Sequence, residues 1–249
     1  MGKKYHNSPI VEAICEFRFT ESTPWDLTIP GFLYERIKDM LPFKEEQIQQ
    51  QIQTNQNQKG EIIQEVSLNK AMVFLSEDRQ CFTQVSDRRI SIHTVKPYIT
   101  WARFKPLIAN VYDTTIKLLT NAHLQRIGLR YINRIEAPTG YLKMSDYFDF
   151  GLRLGKNLPQ HDFVDFIVGC VFPFADQRDY CRVQSARAVS ESSEISAFVL
   201  DLDYFLQIPD AVSISQALEW LENAHDTTET IFEGCITDKL REIFNEVAQ

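Results

Sequence analysis

The chain has 249 residues, 44% of them hydrophobic and 12% aromatic, enough to fill a core, which argues against a disordered chain. A formal net charge of −8 repels phosphate backbones at long range, so general DNA or RNA binding is disfavoured, although a local basic patch stays open. The five cysteines are scattered, with no CxxC pair and no histidine at zinc-ligand spacing, and no apolar run is long enough for a signal peptide or a membrane span.

The first element is the run Val11–Phe19. Val11, Ala13, Cys15, Phe17 and Phe19 alternate with Glu12, Ile14, Glu16 and Arg18, the period of a strand with one buried face. Pro24 and Pro30 break the following loop, and residues 31–41 carry the apolar spacing of a short helix. The Gln-rich stretch from Lys44 predicts an exposed edge strand to about Thr54, then a turn through Asn55–Gly60. Two or three strands are expected over 61–68, 71–76 and 81–95, separated by turn signals at Asn69-Lys70, Glu77-Asp78 and Asp87-Arg88. From Tyr98 to Thr120 the period changes to that of a helix, with Pro106 either kinking it or lying in its first turn. A strand over 123–137, a turn at Pro138–Gly140 and a brief helix over 144–150 come next. Strands at 163–174, 180–189 and 197–208 precede a long helical pattern from Ser213 to Val247.

Both halves thus read as strand, helix, about three strands and a long helix. The expected fold is α+β, a tandem duplication of a βαβββα unit (residues 8–121 and 123–247) packed as one body, with antiparallel sheets each covered by a long helix.

Charge on the strands is the most informative chemical pattern. Alternation in 124–137 puts Arg126, Gly128, Arg130, Ile132, Arg134 and Glu136 on one face, the arginines about 13 Å apart along the strand. Glu12 and Glu16 share a face with Arg18, and Asp201 and Asp203 share another. If these strands are neighbours, three readings follow: an ion-pair ladder, a groove for an anionic or peptide ligand, or an acidic metal site built on Glu12, Glu16, Asp201 and Asp203. The adjacent arginines weigh against the metal, so no metal and no cofactor is assigned.

There is no Walker loop, GxGxxG, HExxH or GxSxG, and the histidines at 6, 93, 123, 161 and 225 show no partner pattern. His225 falls on or beside the apolar stripe of the last helix and reads as a buried structural histidine, with Glu222 and Asp226 near enough to orient it. Trp101, Arg103 and Lys105 near Tyr98 form a basic–aromatic cluster that could stack single-stranded bases, or simply a helix start whose Trp packs inward.

Four segments, SPIVEAICEFRF, RIGLRYINRIE, AFVLDLDYF and AHDTTETIFEGCITDKLREIF, occur in that order. On them the chain, from about Tyr5 to Phe244, resembles a family of bacterial proteins of about 250 residues described as sporadically distributed and functionally uncharacterised. The resemblance supplies no catalytic residues to carry over. A patchy distribution is the habit of accessory genes, and implies phage defence or a toxin–antitoxin role, where an acidic chain suits the neutralising partner. The resulting expectation is a non-enzymatic, cytoplasmic binding protein with a protein partner and scope for a homodimer through the terminal helix. The alternatives are a metal-dependent enzyme acting on nucleotide or nucleic-acid phosphates and a small-anion sensor.

Overall fold

The alternating residues 10–19 fold as strand β1 (Ile10–Phe19), with Ala13, Cys15, Phe17 and Phe19 buried and Arg18 exposed. This computed structural model describes residues 3–56, 62–138, 144–152, 155, 157 and 165–247. The remaining strands are β2 (Phe43–Gln56), β3 (Ile62–Leu75), β4 (Cys81–Ser86), β5 (Arg89–Val95), β6 (Leu124–Pro138), β7 (Ile167–Phe174), β8 (Asp179–Ala188) and β9 (Ile195–Leu206). Among the described residues they form one sheet, in the order β2-β3-β4-β5-β1-β6-β9-β8-β7, and every neighbouring pair is antiparallel.

The fold is therefore α+β as expected, but the strands of both halves share a single sheet. The two sequence halves meet at its centre, where β1 pairs with β6. That pairing covers the edge each strand would otherwise present to solvent.

The helices are α1 (Ile29–Ile37), α2 (Trp101–Leu118), α3 (Ala217–Cys235) and α4 (Asp238–Phe244). Pro30 opens α1, where its missing N–H costs nothing. Pro106 lies inside α2, beyond the first turn. The apolar stripes of these four described helices join one core with Ala13, Cys15, Phe17, Ile127, Leu129, Leu200 and Leu202. Phe17 meets Tyr112 of α2 with ring centroids 4.4 Å apart. Burying such side chains contributes roughly 1.5–3 kcal/mol each, and this layer holds the helices to one side of the sheet. The alternate residues of β1, β5, β6 and β9 point to the other side, called the open face below.

The turn expected at Asp87-Arg88 divides residues 81–95 into β4 and β5, and Arg88 there adopts a left-handed conformation with φ of 49°. Two expectations need correction in detail. Residues 62–75 run as one strand through the expected turn at Asn69-Lys70. The long C-terminal pattern is two helices, because Ile236 turns extended (φ −117°, ψ 150°) and bridges to Phe148. The Asp149 N–H donates to Cys235 O at 3.0 Å and the Thr237 hydroxyl to Asp146 O at 2.7 Å, so the 146–149 segment satisfies groups at the break. The expected turn at 138–140 and the starts of the strands expected at 61 and 163 lie wholly or partly outside the described residues, as do residues 57–60 of the Gln-rich turn.

Candidate functional site

Strand order makes the charged segments neighbours. β1, β6 and β9 are adjacent, in a register that aligns Glu16 with Gly128 and Phe205, and Glu12 with Ile132 and Asp201. The sequence-predicted charges therefore meet on the open face.

Arg126 is the hub. Its guanidinium extends along β6 over Gly128, placing Nη1 2.6 Å from Glu16 Oε1 and Nη2 3.1 Å from both carboxylate oxygens of Asp203. It also lies 5.0 Å from the centroid of the Phe205 ring, a cation–π contact. A Cβ at position 128 would come within 2.4 Å of Arg126 Nη1, so glycine is what lets the guanidinium lie across the strand. Arg130 makes a two-pronged contact with Asp201, at 2.8 Å from Nε and 2.5 Å from Nη2. Arg134 donates to Glu136 at 2.9 Å and to Val189 O at 2.8 Å. Glu12 pairs with a histidine, its Oε1 2.9 Å from His93 Nδ1, while His93 Nε2 lies 2.8 Å from the Ser91 hydroxyl.

Around Glu16 the sheet gathers two further guanidiniums that sequence reading did not connect to it. Arg18 Nε donates to Glu16 Oε1 at 2.8 Å, and Arg89 Nε lies 2.6 Å from Oε2. Register explains this: Arg18 sits directly opposite Arg89 on β5 and Arg126 on β6, so three arginines occupy one rung across three strands. Arg89 follows the Asp87-Arg88 turn, and only the β1–β5 pairing reveals its place. Burial works against the Glu16 charge, but Arg89, Arg126 and Arg18 together hold its carboxyl below the ordinary value. At Asp203 burial prevails and pushes the carboxyl up, in spite of Arg126 and Arg130.

These contacts bear on the acidic metal reading. Glu16, Asp201 and Asp203 are each engaged by guanidinium, and Glu12 by imidazole. A cation entering there would have to displace arginines. Among the described residues, a group of three potential ligands within 4.8 Å of one another occurs elsewhere, at His225, Asp226 and Glu229.

His225 is buried, as its stripe position suggested. It stacks on Trp101 with centroids 4.3 Å apart, its Nδ1 lies 3.0 Å from the Tyr131 hydroxyl and its Nε2 3.3 Å from Glu229. Glu222, near enough in sequence to orient His225, instead accepts from Trp101 Nε1 at 3.2 Å and pairs with Lys105. Trp101 thus packs against α3, the inward reading of the basic–aromatic cluster. A buried carboxylate also went unread: Asp179 accepts from Trp220 Nε1 at 3.0 Å, Tyr204 at 3.3 Å and Arg178 at 2.6 Å, tying β8, β9 and α3 together.

Comparison with known proteins gives no match to a family model, a curated protein or a solved structure.

Proposed function

We propose that the chain is a non-enzymatic binding protein of a cytoplasmic protein complex, and that it engages its partner through the open face of the sheet. One observation carries the reading. The described helices pack into a single core on one side, while the other side carries an ordered array of charged side chains fixed by mutual ion pairs. Side chains already held in place lose little conformational entropy on association, which favours their use in recognition. The engagement of Glu16, Asp201 and Asp203 with guanidiniums favours binding over acid–base or metal chemistry at this face.

The family resemblance extends the proposal to phage defence or the neutralising half of a toxin–antitoxin pair, where a net charge of −8 suits a basic partner. The duplication reading, residues 8–121 and 123–247, draws support from strand order. Outward from the β1–β6 pair, β5, β4 and β3 on one side parallel β9, β8 and β7 on the other, each set in reverse chain order, while β2 at the first edge has no counterpart among the described strands.

The test is affinity purification of the tagged protein from its native lysate, wild type beside the double variant Arg18→Gln/Arg134→Gln. Both substitutions leave their acidic neighbours tolerable: Glu16 keeps Arg89 and Arg126, and Glu136 is half exposed. A stoichiometric protein partner retained by wild type and lost by the folded variant is expected. A partner that binds both alike overturns the assignment of the face.

A further inference from the structure

The rung Arg89–Arg18–Arg126 is an unusual arrangement for a sheet, because like charges directly opposite one another on neighbouring strands are destabilising. Neighbouring strands lie about 4.8 Å apart, so three guanidinium stems start within about 10 Å. The chain relieves this by folding all three toward Glu16, at 2.8, 2.6 and 2.6 Å.

That relief is partial. A carboxylate offers about four lone-pair sites, whereas three guanidiniums bring about fifteen N–H donors. Glu16 already accepts from Arg18 Nε and Nη2 and from Arg126 Nη1, while Arg89 Nε lies 2.6 Å from Oε2 as an ion pair without hydrogen-bond geometry. Asp203 takes the second arm of Arg126. Arg18 Nη1 and both terminal nitrogens of Arg89 have no hydrogen-bond partner among the described residues, and the two side chains are 44% and 37% exposed, against 8% for Glu16. The spare donors therefore face solvent while the neutralising carboxylate sits below them. Three guanidiniums against two carboxylates also leave an excess positive charge, on a molecule whose overall charge is −8.

We propose that the Arg18–Arg89 pair, backed by Arg126, is a binding site for a phosphate group, a subsite that rests on the open face being the binding surface. Planar, forked donors match the oxygens of a tetrahedral oxyanion, and two arginines about one strand spacing apart can each present a pair of N–H groups to it. Glu16 fixes the forks beforehand, so little ordering is required when the anion arrives. The chemistry differs from the row predicted from sequence. Arg130 and Arg134, expected as ligand contacts, are each paired with a neighbouring carboxylate, whereas the rung across the strands holds donors in excess.

The test is titration of the purified protein with inorganic phosphate at constant ionic strength balanced by chloride, read by calorimetry and by thermal melting. Wild type is expected to show saturable binding and a rising melting temperature. Arg18→Gln and Arg89→Gln should each weaken phosphate binding at least tenfold, with Arg134→Gln unchanged. In phosphate-free buffer Arg18→Gln should melt at or above the wild-type temperature, because it removes like-charge repulsion while Glu16 retains two partners; this separates lost binding from lost folding. Absence of saturable binding in wild type, or binding that survives both substitutions, overturns the proposal. If phosphate fails while the Arg18→Gln/Arg134→Gln variant still loses the partner, the phosphate site falls and the binding face stands. If phosphate binds but capture ignores the face, the reverse holds.

Discussion

Replacing Gly128 with alanine tests whether the Arg126 bridge depends on an empty position beneath it. The new Cβ would lie 2.4 Å from Nη1, 3.0 Å from Cζ and 3.2 Å from Nη2 of Arg126, so the guanidinium must lift away. Glu16 retains Arg18 and Arg89, but Asp203, 14% exposed, loses its direct partner. Removing one partner of a buried pair costs about 3–5 kcal/mol; here the arginine is displaced rather than deleted, which lowers the figure to about 2–3 kcal/mol. Alanine in place of glycine returns about 0.5–1 kcal/mol of backbone entropy. The net expectation is a loss of about 1–2.5 kcal/mol, measured by urea denaturation. In an Asp203→Asn background the same substitution should cost markedly less, because the two positions act through one contact. A Gly128→Ala protein at least as stable as wild type, or an equal cost in both backgrounds, would refute the reasoning.

Two further outcomes follow from the same contacts. Asp179→Ala strands the Trp220 and Tyr204 donors and the Arg178 charge, and should cost about 3–5 kcal/mol in denaturant unfolding; a loss under 1 kcal/mol would show that the buried network is dispensable. The Glu16 carboxyl is held below its ordinary value of 4.5 in the folded state, so its contribution is present above that pH and is lost as pH falls through the folded value. Asp203, pushed above 3.8 by burial, acts in the opposite sense, favouring the folded state as it takes up its proton. Acid titration of stability should therefore be flatter in Glu16→Gln and steeper in Asp203→Asn than in wild type; parallel curves would contradict both assignments.

Much of the charged face was legible because a strand has a period of two. Alternation alone assigned Arg126, Arg130 and Arg134 to one face of β6, and Glu12, Glu16 and Arg18 to one face of β1. Which strands are neighbours was not legible, since pairing between residues more than 70 positions apart leaves no local trace. Arg89 is the clearest case: it is one more arginine after a turn until the β1–β5 register sets it opposite Arg18. Alternation places Gly128 on the arginine face without a role, which emerges only when Arg126 is seen lying over it. The break between α3 and α4 was hidden because apolar spacing continues through Ile236, while the contacts that stop the helix come from 146–149. Asp179 sits at the start of a strand, where an acidic residue reads as a turn signal rather than a buried acceptor.

The central claim, that the open face is where the chain binds its partner, is tested most directly by arginine-selective footprinting of the free protein and of its captured complex, read by mass spectrometry. The account predicts that Arg18, Arg89 and Arg134 lose reactivity in the complex while Arg36 and Arg103, on the helices, keep theirs. Unchanged labelling at Arg18, Arg89 and Arg134, with protection at Arg36 or Arg103, would contradict it.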